Sequence, residues 1–267
     1  MNKYWQIFKI SFAQEFAYRL NFIMWRVRNI MQIILIYFLW SSVFADPSRQ
    51  VFGYNREKIL TYVFGILVLR AIVLSARVVD MAGEIANGEI TNYLVKPISY
   101  FKYWASRDAA SKLLNLSFAT VEVIVLYFIF QPQIFIQTDF LILVSTALSV
   151  GFAVVLFFCL LFLVNLVTFW MPENGWAAQF LFIAIITEFA SGGVFPLDIF
   201  PAAFQKALYC LPFPYLLFFP LQVYLGKIGG LTLVGGLGMA GVWILILILA
   251  VKVVWLKGIK NYSAEGR

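Results

Sequence analysis

Residues 139–170 read DFLILVSTALSVGFAVVLFFCLLFLVNLVTFW, in which Asp139 is the only charged residue. A helix needs about 20 mainly apolar residues to cross the hydrocarbon core of a bilayer. This stretch is longer than that, so we expect its helix to tilt, kink or project into the cytoplasm. The stretch predicts that the chain is an integral membrane protein.

The composition of the whole chain also favours a membrane environment. The chain has 267 residues, of which 63% are hydrophobic and 12% are charged, whereas soluble domains are nearer to half apolar and a quarter charged. A domain of this size has too little interior to hide so much apolar surface from water. We therefore expect an all-α membrane protein in which residues 1–267 form a single transmembrane domain.

Six stretches are apolar enough to be predicted as membrane-spanning helices. Arg26 and Arg28 lie near the start of the first, where their long side chains can snorkel to the lipid headgroups. Asp46-Pro47-Ser48 ends it. The last stretch is rich in glycine, which lets helix backbones pack closely in lipid. The predicted spans are residues 22–44, 58–79, 113–130, 139–170, 176–190 and 229–251.

Three segments outside the spans have their own patterns. Residues 3–20 carry aromatic side chains three or four positions apart, which predicts a helix on the membrane surface; an extension of the first span is the alternative. Residues 80–112 form the longest polar stretch. Residues 194–225 are too apolar for an aqueous loop, yet prolines cut them into pieces too short to span. Two short helices that dip into one leaflet fit this pattern, provided that they pack against protein or a wet cavity.

The positive charges predict the orientation of the chain. When the N-terminus is placed in the cytoplasm, most Lys and Arg residues fall on that side, as the positive-inside rule requires. Both termini are then cytoplasmic, and the number of spans is even. The net charge of +7 is therefore assigned to topology. Binding to nucleic acid is rejected, because the basic residues lie beside the spans rather than in one dense patch.

The sequence lacks the patterns of the common catalytic sites. It has no histidine, which removes the usual general base and the commonest zinc ligand. It has no P-loop, no Gly-x-Ser-x-Gly elbow and no His-Glu-x-x-His helix. Cys159 and Cys210 lie in apolar stretches and are expected to be small buried residues. We expect no catalytic residue, metal site or bound cofactor in this chain, so any ATP that drives it binds another subunit.

Three ionisable residues fall at membrane depth: Arg70, Glu122 and Glu188. Charged groups are costly in hydrocarbon and should face the protein interior or water. They either line a translocation path or form ion pairs that fix helix packing, and the residues alone leave both open. We expect Arg70 to pair with Glu122 or with Glu188.

The polar stretch 80–112 has features of a docking element. Gly83 and Gly88 allow turns, Pro97 stops a helix, and charges of both signs alternate with aromatic side chains. Exposed aromatic residues suit anchoring or a protein interface. An amphipathic loop lying on the headgroups is the alternative.

Two motifs resemble a known family. GEITNYLVKPIS, residues 88–99, resembles the loop after the second span of type-2 ABC exporter permeases, in particular their small bacterial branch. SGGVFPLDIFP, residues 191–201, followed by LPFPY, residues 211–215, is similar to the family's broken region before the last span. The resemblance covers essentially the whole chain, including the surface helix and the number of spans.

The resemblance implies specific roles for these segments. In such permeases a coupling helix after the second span docks into the ATPase subunit. The surface segment 3–20 resembles the family's interfacial connecting helix, and the broken region resembles re-entrant helices that close the outer mouth. By this resemblance, the ATPase-coupling residues are Glu84, Gly88, Glu89, Leu94 and Pro97. The re-entrant gate residues are Gly192, Gly193, Pro196, Pro201, Pro212 and Pro214.

The resemblance also implies an assembly. Two permeases and two ABC ATPase subunits form the working exporter, with ATP and Mg²⁺ on the ATPase. The second permease is identical or related to this chain, and the assembly sits in the bacterial inner membrane. Export itself is inferred from the family.

Two other classes of function stay open. A membrane-embedded enzyme acting on lipid needs clustered acids, histidines or metal ligands near one interface, whereas the acids here are scattered. A channel or secondary transporter uses ionisable relays or internal repeats, and no convincing repeat is present. The sequence leaves the substrate open among lipid-linked sugars, peptides, drugs and ions.

Overall fold

The computed structural model describes residues 3–17, 19–46 and 50–262. Pro47, Ser48 and Arg49 of the first predicted loop, Tyr18 of the predicted surface helix, and Arg267 lie outside the described residues. Within the described residues the regular structure is helical, apart from an isolated bridge between Val51 and Tyr54. The fold class is therefore all-helical, as predicted.

Twelve α-helices make up most of the described chain, and π-helical turns extend two of them. The π turns are Arg70–Leu74 after α3 and Leu181–Thr187 between α8 and α9. The α-helices are α1 (Lys3–Ala17), α2 (Arg19–Val43), α3 (Arg56–Leu69), α4 (Met81–Ala86), α5 (Thr91–Leu94), α6 (Tyr100–Phe130), α7 (Phe140–Asn165), α8 (Gly175–Phe180), α9 (Glu188–Ala190), α10 (Ala202–Tyr209), α11 (Phe218–Tyr224) and α12 (Gly230–Asn261). Short 3-10 turns cover Arg77–Asp80, Leu166–Phe169, Pro172–Asn174, Leu197–Ile199 and Phe213–Tyr215.

Several of these helices can cross a membrane by their length and composition. Among the described residues these are Tyr100–Phe130, Phe140–Phe169 and Gly230–Asn261. The helices Arg56–Leu74 and Arg77–Ala86 form a candidate fourth span that is bent by 47°. The chain is thus a multi-pass membrane protein, and the count of six spans stays a prediction.

The helix α7 is the central helix of the bundle. Half of the most apolar 18-residue stretch of this helix is buried inside the protein. In α6 and in α12 only 17% of the corresponding stretch is buried. It packs against α12, α11 and α8. Asp139, the one charged residue of the stretch, accepts hydrogen bonds from the backbone N–H groups of Leu141 and Ile142 and so caps the helix.

The polar stretch 80–112 is not a single loop, which corrects the sequence analysis. Helix α6 begins at Tyr100 rather than at residue 113, and the side chain of Ser99 accepts a hydrogen bond from the backbone N–H of Lys102 at its start. Composition alone missed this because Asp108 and Lys112 look like loop residues, although both are buried in the bundle. The last helix likewise continues to Asn261, beyond the predicted end at 251.

The predicted second span, 58–79, breaks before its end. Ser75 and Ala76 have extended backbone conformations, which leaves carbonyl groups at the end of the π turn without helical partners. The buried ammonium of Lys112 donates to the carbonyls of Val73, at 3.2 Å, and Ser75. Asp108 pairs with Lys112 at 3.2 Å and accepts from the Arg77 N–H. Two side chains of α6 therefore hold this bend in place.

The glycines of α12 do not all serve packing. A Cβ at Gly236 would lie 2.1 Å from the Phe219 ring of α11, whereas a Cβ at Gly235 or Gly238 would meet nothing within 4 Å. The close approach predicted from the glycine content thus holds at Gly236 and not at those two neighbours.

We predict that Gly236→Ala lowers the free energy of unfolding by about 1–3 kcal/mol, because Phe219 is buried and must shift. Gly235→Ala is the matched control. It should be neutral or stabilising by up to about 1 kcal/mol, because alanine favours the helix. Thermal unfolding of the purified variants in detergent measures both changes. Equal melting temperatures for the two variants would contradict the assignment.

Candidate functional site

The segment between the bend and α6, residues 75–99, is called here the connecting segment. Its helices α4 and α5 meet at a turn in which Gly88 has φ +79°, a conformation that residues with a Cβ rarely adopt. The hydroxyl of Thr91 donates to the Gly88 carbonyl at 2.8 Å. Ile85 and Ile90 are buried beneath this turn. Gly88 is therefore needed for the shape of the segment.

Glu84 points into the protein rather than out of it. Its carboxylate accepts hydrogen bonds from the Tyr100 hydroxyl at 3.0 Å, from Arg107 at 3.1 Å and from the Tyr93 hydroxyl at 3.4 Å. Glu84 thus ties α4 to the start of α6 and positions the connecting segment. Its partners Tyr100 and Arg107 were not predicted from the sequence.

The tip of the connecting segment is exposed. Glu89, Leu94 and Pro97 are exposed, and so is Val95, a residue that is 83% accessible and was not singled out from the sequence. The set Glu89, Leu94, Val95 and Pro97 is called here the exposed tip. Exposed apolar groups next to a charge are a common composition for a protein-binding surface.

Helix α1 braces the exposed tip from one side. The ammonium of Lys3 donates to the Pro97 carbonyl, and the Ser99 N–H donates to the Tyr4 hydroxyl at 3.1 Å. Helix α1 also packs along α6. The connecting segment is therefore held by α1 and by α6.

The predicted pairing of Arg70 is confirmed, and Glu188 is its partner. The Arg70 guanidinium donates to Glu188 Oε1 at 2.9 Å, to Gln32 Oε1 at 2.9 Å and to the Gly193 carbonyl at 2.9 Å. These contacts join the π turn after α3 to α2, to α9 and to the turn that follows α9. The side chains of Arg70 and Glu188 are 5% and 13% exposed.

Glu122 belongs to a different ion pair. Arg26 Nε donates to Glu122 Oε1 at 2.6 Å, and Arg26 also reaches Asn115 at 3.4 Å. The expectation that Arg26 snorkels to the headgroups is wrong, because its side chain is only 7% exposed. Two partners on α6 make burial of the guanidinium possible.

The broken region starts with a turn fixed to two helices. Gly192 has φ +82°, and its carbonyl accepts a hydrogen bond from the buried Tyr62 hydroxyl at 2.7 Å. The Phe218 N–H donates to the Ser191 carbonyl at 2.9 Å. Gly193 in turn supplies its carbonyl to Arg70. This turn therefore connects α3, α9 and α11.

The prolines of the broken region lie at helix boundaries. Pro196 and Pro201 immediately precede the turn Leu197–Ile199 and helix α10, while Pro212 and Pro214 lie at the start of the turn before α11. The region contains the two short helices that were predicted, α10 and α11, and their depth in a membrane stays a prediction.

Cys210, at the end of α10, is exposed, which corrects the expectation that both cysteines are buried; Cys159 is buried.

A polar cluster surrounds Asp198 and was not predicted from the sequence. The carboxylate accepts from the Tyr54 hydroxyl at 2.7 Å, from Gln222 Nε2 at 2.7 Å and from Lys227 at 2.9 Å. Lys227 also stands 3.4 Å from the centre of the Tyr54 ring. Burial lowers the pKa of Lys227. Asp198 and Lys227, two charges inside an apolar region, were the signal that could have revealed this link between the loop before α3 and α11.

Within the described ranges, no group of three or more Cys, Asp or Glu side chains is placed to hold a metal ion. The expectations that this chain binds no metal or cofactor and is not an enzyme stay predictions.

A family model described as ABC-2 family transporter protein matches residues 30–266. The match includes the connecting segment, the broken region and the candidate membrane-spanning helices found among the described residues. A comparison with curated proteins finds no match.

Proposed function

The chain belongs to the ABC-2 family of transporter proteins, and we propose that it is the membrane-spanning permease subunit of an ATP-driven exporter. Membrane proteins of this family generally work with ABC ATPase partners. In this proposal the ATPase subunits bind ATP and Mg²⁺, and this chain catalyses no reaction. It forms the translocation path together with a second permease, identical or related.

The observation that carries the proposal is the exposed tip of the connecting segment. Glu89, Leu94, Val95 and Pro97 are free to contact a partner, while the residues beneath them are buried. Glu84 is therefore assigned a positioning role instead of a contact role. Gly88 shapes the turn that presents the tip.

The same contacts explain how a partner could move the helices. A force on the exposed tip reaches α6 through the Glu84–Arg107 pair, at 3.1 Å. It reaches the bent second span through Asp108 and Lys112, which hold the backbone at the bend. ATP-driven closure of the ATPase subunits would thus be converted into a rigid-body shift of helices.

The remaining architecture follows the family. We propose six spans in the bacterial inner membrane, both termini in the cytoplasm, α1 as the interfacial helix and the connecting segment as the coupling element. The broken region, with Gly192 and Gly193 at its first turn, then closes the outer mouth as re-entrant helices. The Asp198 cluster supports this role, because it fixes the broken region to the loop before α3.

Photo-crosslinking in native cells tests the contact directly. A photoreactive residue at position 94 should crosslink to a chain that contains a P-loop, and mass spectrometry identifies that chain. Position 52 is the matched control, because Phe52 is also an exposed apolar residue and lies in the loop before α3. A P-loop protein captured equally from both positions, or from neither, would contradict the proposal.

Leu94→Asp should weaken association with that ATPase by about thirtyfold, the effect of losing an interface hot spot. Phe52→Asp should leave the association unchanged. Glu84→Gln should reduce association less than Leu94→Asp, because it loosens the support and leaves the tip intact. Co-purification with the identified ATPase measures all three, and normal association of Leu94→Asp would reject the assignment of the tip.

A further inference from the structure

A groove of about 460 Å³ lies between the connecting segment and α12. Leu94 and Ile98 form one wall, and Ile248 and Val251 form the other. Its size is within the range of ligand pockets. The proposed translocation path does not use this groove, and the exposed tip shares only Leu94 with it.

The position of the groove along α12 places it at the headgroup level of the bilayer. After Gly230 the first charged residue is Lys252, which lines the groove. The roughly 21 uncharged residues between them extend about 31 Å as a helix, close to the thickness of the hydrocarbon core. Trp255 and Tyr100 also line the groove, and such aromatic residues are enriched at the membrane interface. Ile248 lies one helical turn deeper, toward the hydrocarbon.

The charge of the groove is complementary to an anion. Lys252 is among its lining residues, and no carboxylate is. Lys96 stands 5.5 Å from the ring of Tyr93, another lining residue. Glu84, which contacts Tyr100, is already paired with Arg107. Basic side chains at this depth attract anionic lipid headgroups.

We propose that this groove binds an anionic phospholipid, with the phosphate against Lys252 and part of one acyl chain along Ile248 and Val251. The site goes beyond the proposed permease function. The orientation proposed above places it in the cytoplasmic leaflet. Because Leu94 and Ile98 form the opposite wall, the lipid stabilises the connecting segment against α12, and the membrane's lipid composition influences the position of the exposed tip.

Native mass spectrometry of the purified full-length chain tests the proposal. The chain is exposed to dioleoyl-phosphatidylglycerol or to dioleoyl-phosphatidylethanolamine, which have the same acyl chains and differ in net charge. The wild type should retain more phosphatidylglycerol. Lys252→Glu should lower that retention by at least about fivefold, the contribution of one basic residue at an anionic membrane surface. Ile248→Trp fills the groove and should lower retention of both lipids.

Two control variants on the same helix distinguish a specific lipid-binding site from nonspecific electrostatic attraction of anionic lipid to the chain. Lys257→Glu makes the same charge reversal as Lys252→Glu, and Leu249→Trp introduces the same larger side chain as Ile248→Trp. Neither Lys257 nor Leu249 lines the groove. Each should change retention less than twofold. Equal losses in Lys252→Glu and Lys257→Glu, or equal retention of the two lipids by the wild type, would overturn the proposal.

A competing occupant is a side chain of the ATPase. If Ile248→Trp weakens ATPase association and leaves phosphatidylglycerol retention unchanged, the groove belongs to the ATPase and the lipid proposal is wrong. The lipid measurement itself contains no ATPase and no transport step. Its failure therefore leaves the permease assignment untouched, and failure of the crosslinking at position 94 leaves the lipid site untouched.

Discussion

Arg70→Met is expected to lower the free energy of unfolding by about 3–5 kcal/mol, because it leaves the Glu188 carboxylate buried without its countercharge. Arg70 donates to Glu188, to Gln32 and to the Gly193 carbonyl. Its loss therefore removes hydrogen bonds from three parts of the chain at once. In a bundle surrounded by lipid, water cannot replace them cheaply.

The double variant Arg70→Met/Glu188→Leu distinguishes loss of charge pairing from loss of packing. Replacing both partners of a buried ion pair by apolar groups of similar size is often nearly neutral, so this variant should recover most of the lost stability. Arg56→Met, at the first position of α3, where the arginine is only partly buried, is the control and should cost less than about 0.5 kcal/mol. Thermal unfolding in detergent, followed by tryptophan fluorescence, gives the comparison. Wild-type melting of Arg70→Met alone would show that the pair contributes nothing to stability.

Gly192→Ala is expected to cost about 2–5 kcal/mol of stability. At φ +82° a residue with a Cβ pays roughly 1–2 kcal/mol. The new methyl group would also lie 2.8 Å from the Tyr62 hydroxyl and 3.0 Å from Phe218 Cβ. Such overpacking typically costs another 1–3 kcal/mol. Since both neighbours are buried, the turn itself has to move.

Gly230→Ala is the matched control for this prediction. Gly230 also has a positive φ, +55°, but a Cβ there would meet nothing within 4 Å. It should show the conformational cost alone, so Gly192→Ala should unfold at a clearly lower temperature. If the two variants melt together, the close approach of Tyr62 and Phe218 to the turn does not constrain it.

The all-helical class of the fold could be predicted from the sequence. Helix α7 starts beside Asp139 as expected, and the proline-rich region contains two short helices. These features depend on local properties: hydrophobicity, run length and helix-breaking residues. Boundaries set by burial of polar side chains were less predictable, as the start of α6 at Tyr100 illustrates.

In the candidate sites, too, some contacts could be predicted from the sequence and others could not. The sequence marked Arg70 and Glu188 as costly at membrane depth and predicted that Arg70 pairs with an acid there. It did not predict that Glu122 pairs with Arg26, or that the Asp198 carboxylate contacts Tyr54, Gln222 and Lys227. Partners so far apart along the chain leave no periodic signal.

The sequence by itself determines that the protein lies in a membrane. The reason is that the free energy of moving long uncharged stretches into lipid depends on their composition and length. The direction in which each polar side chain points was decided by the tertiary structure. Glu84 and Glu89 are both glutamates of the same polar stretch. Glu84 accepts hydrogen bonds from Tyr100 and Arg107, whereas Glu89 is exposed. That difference arises because a buried carboxylate needs donors, and only the packing of α4 against α6 brings those donors within reach.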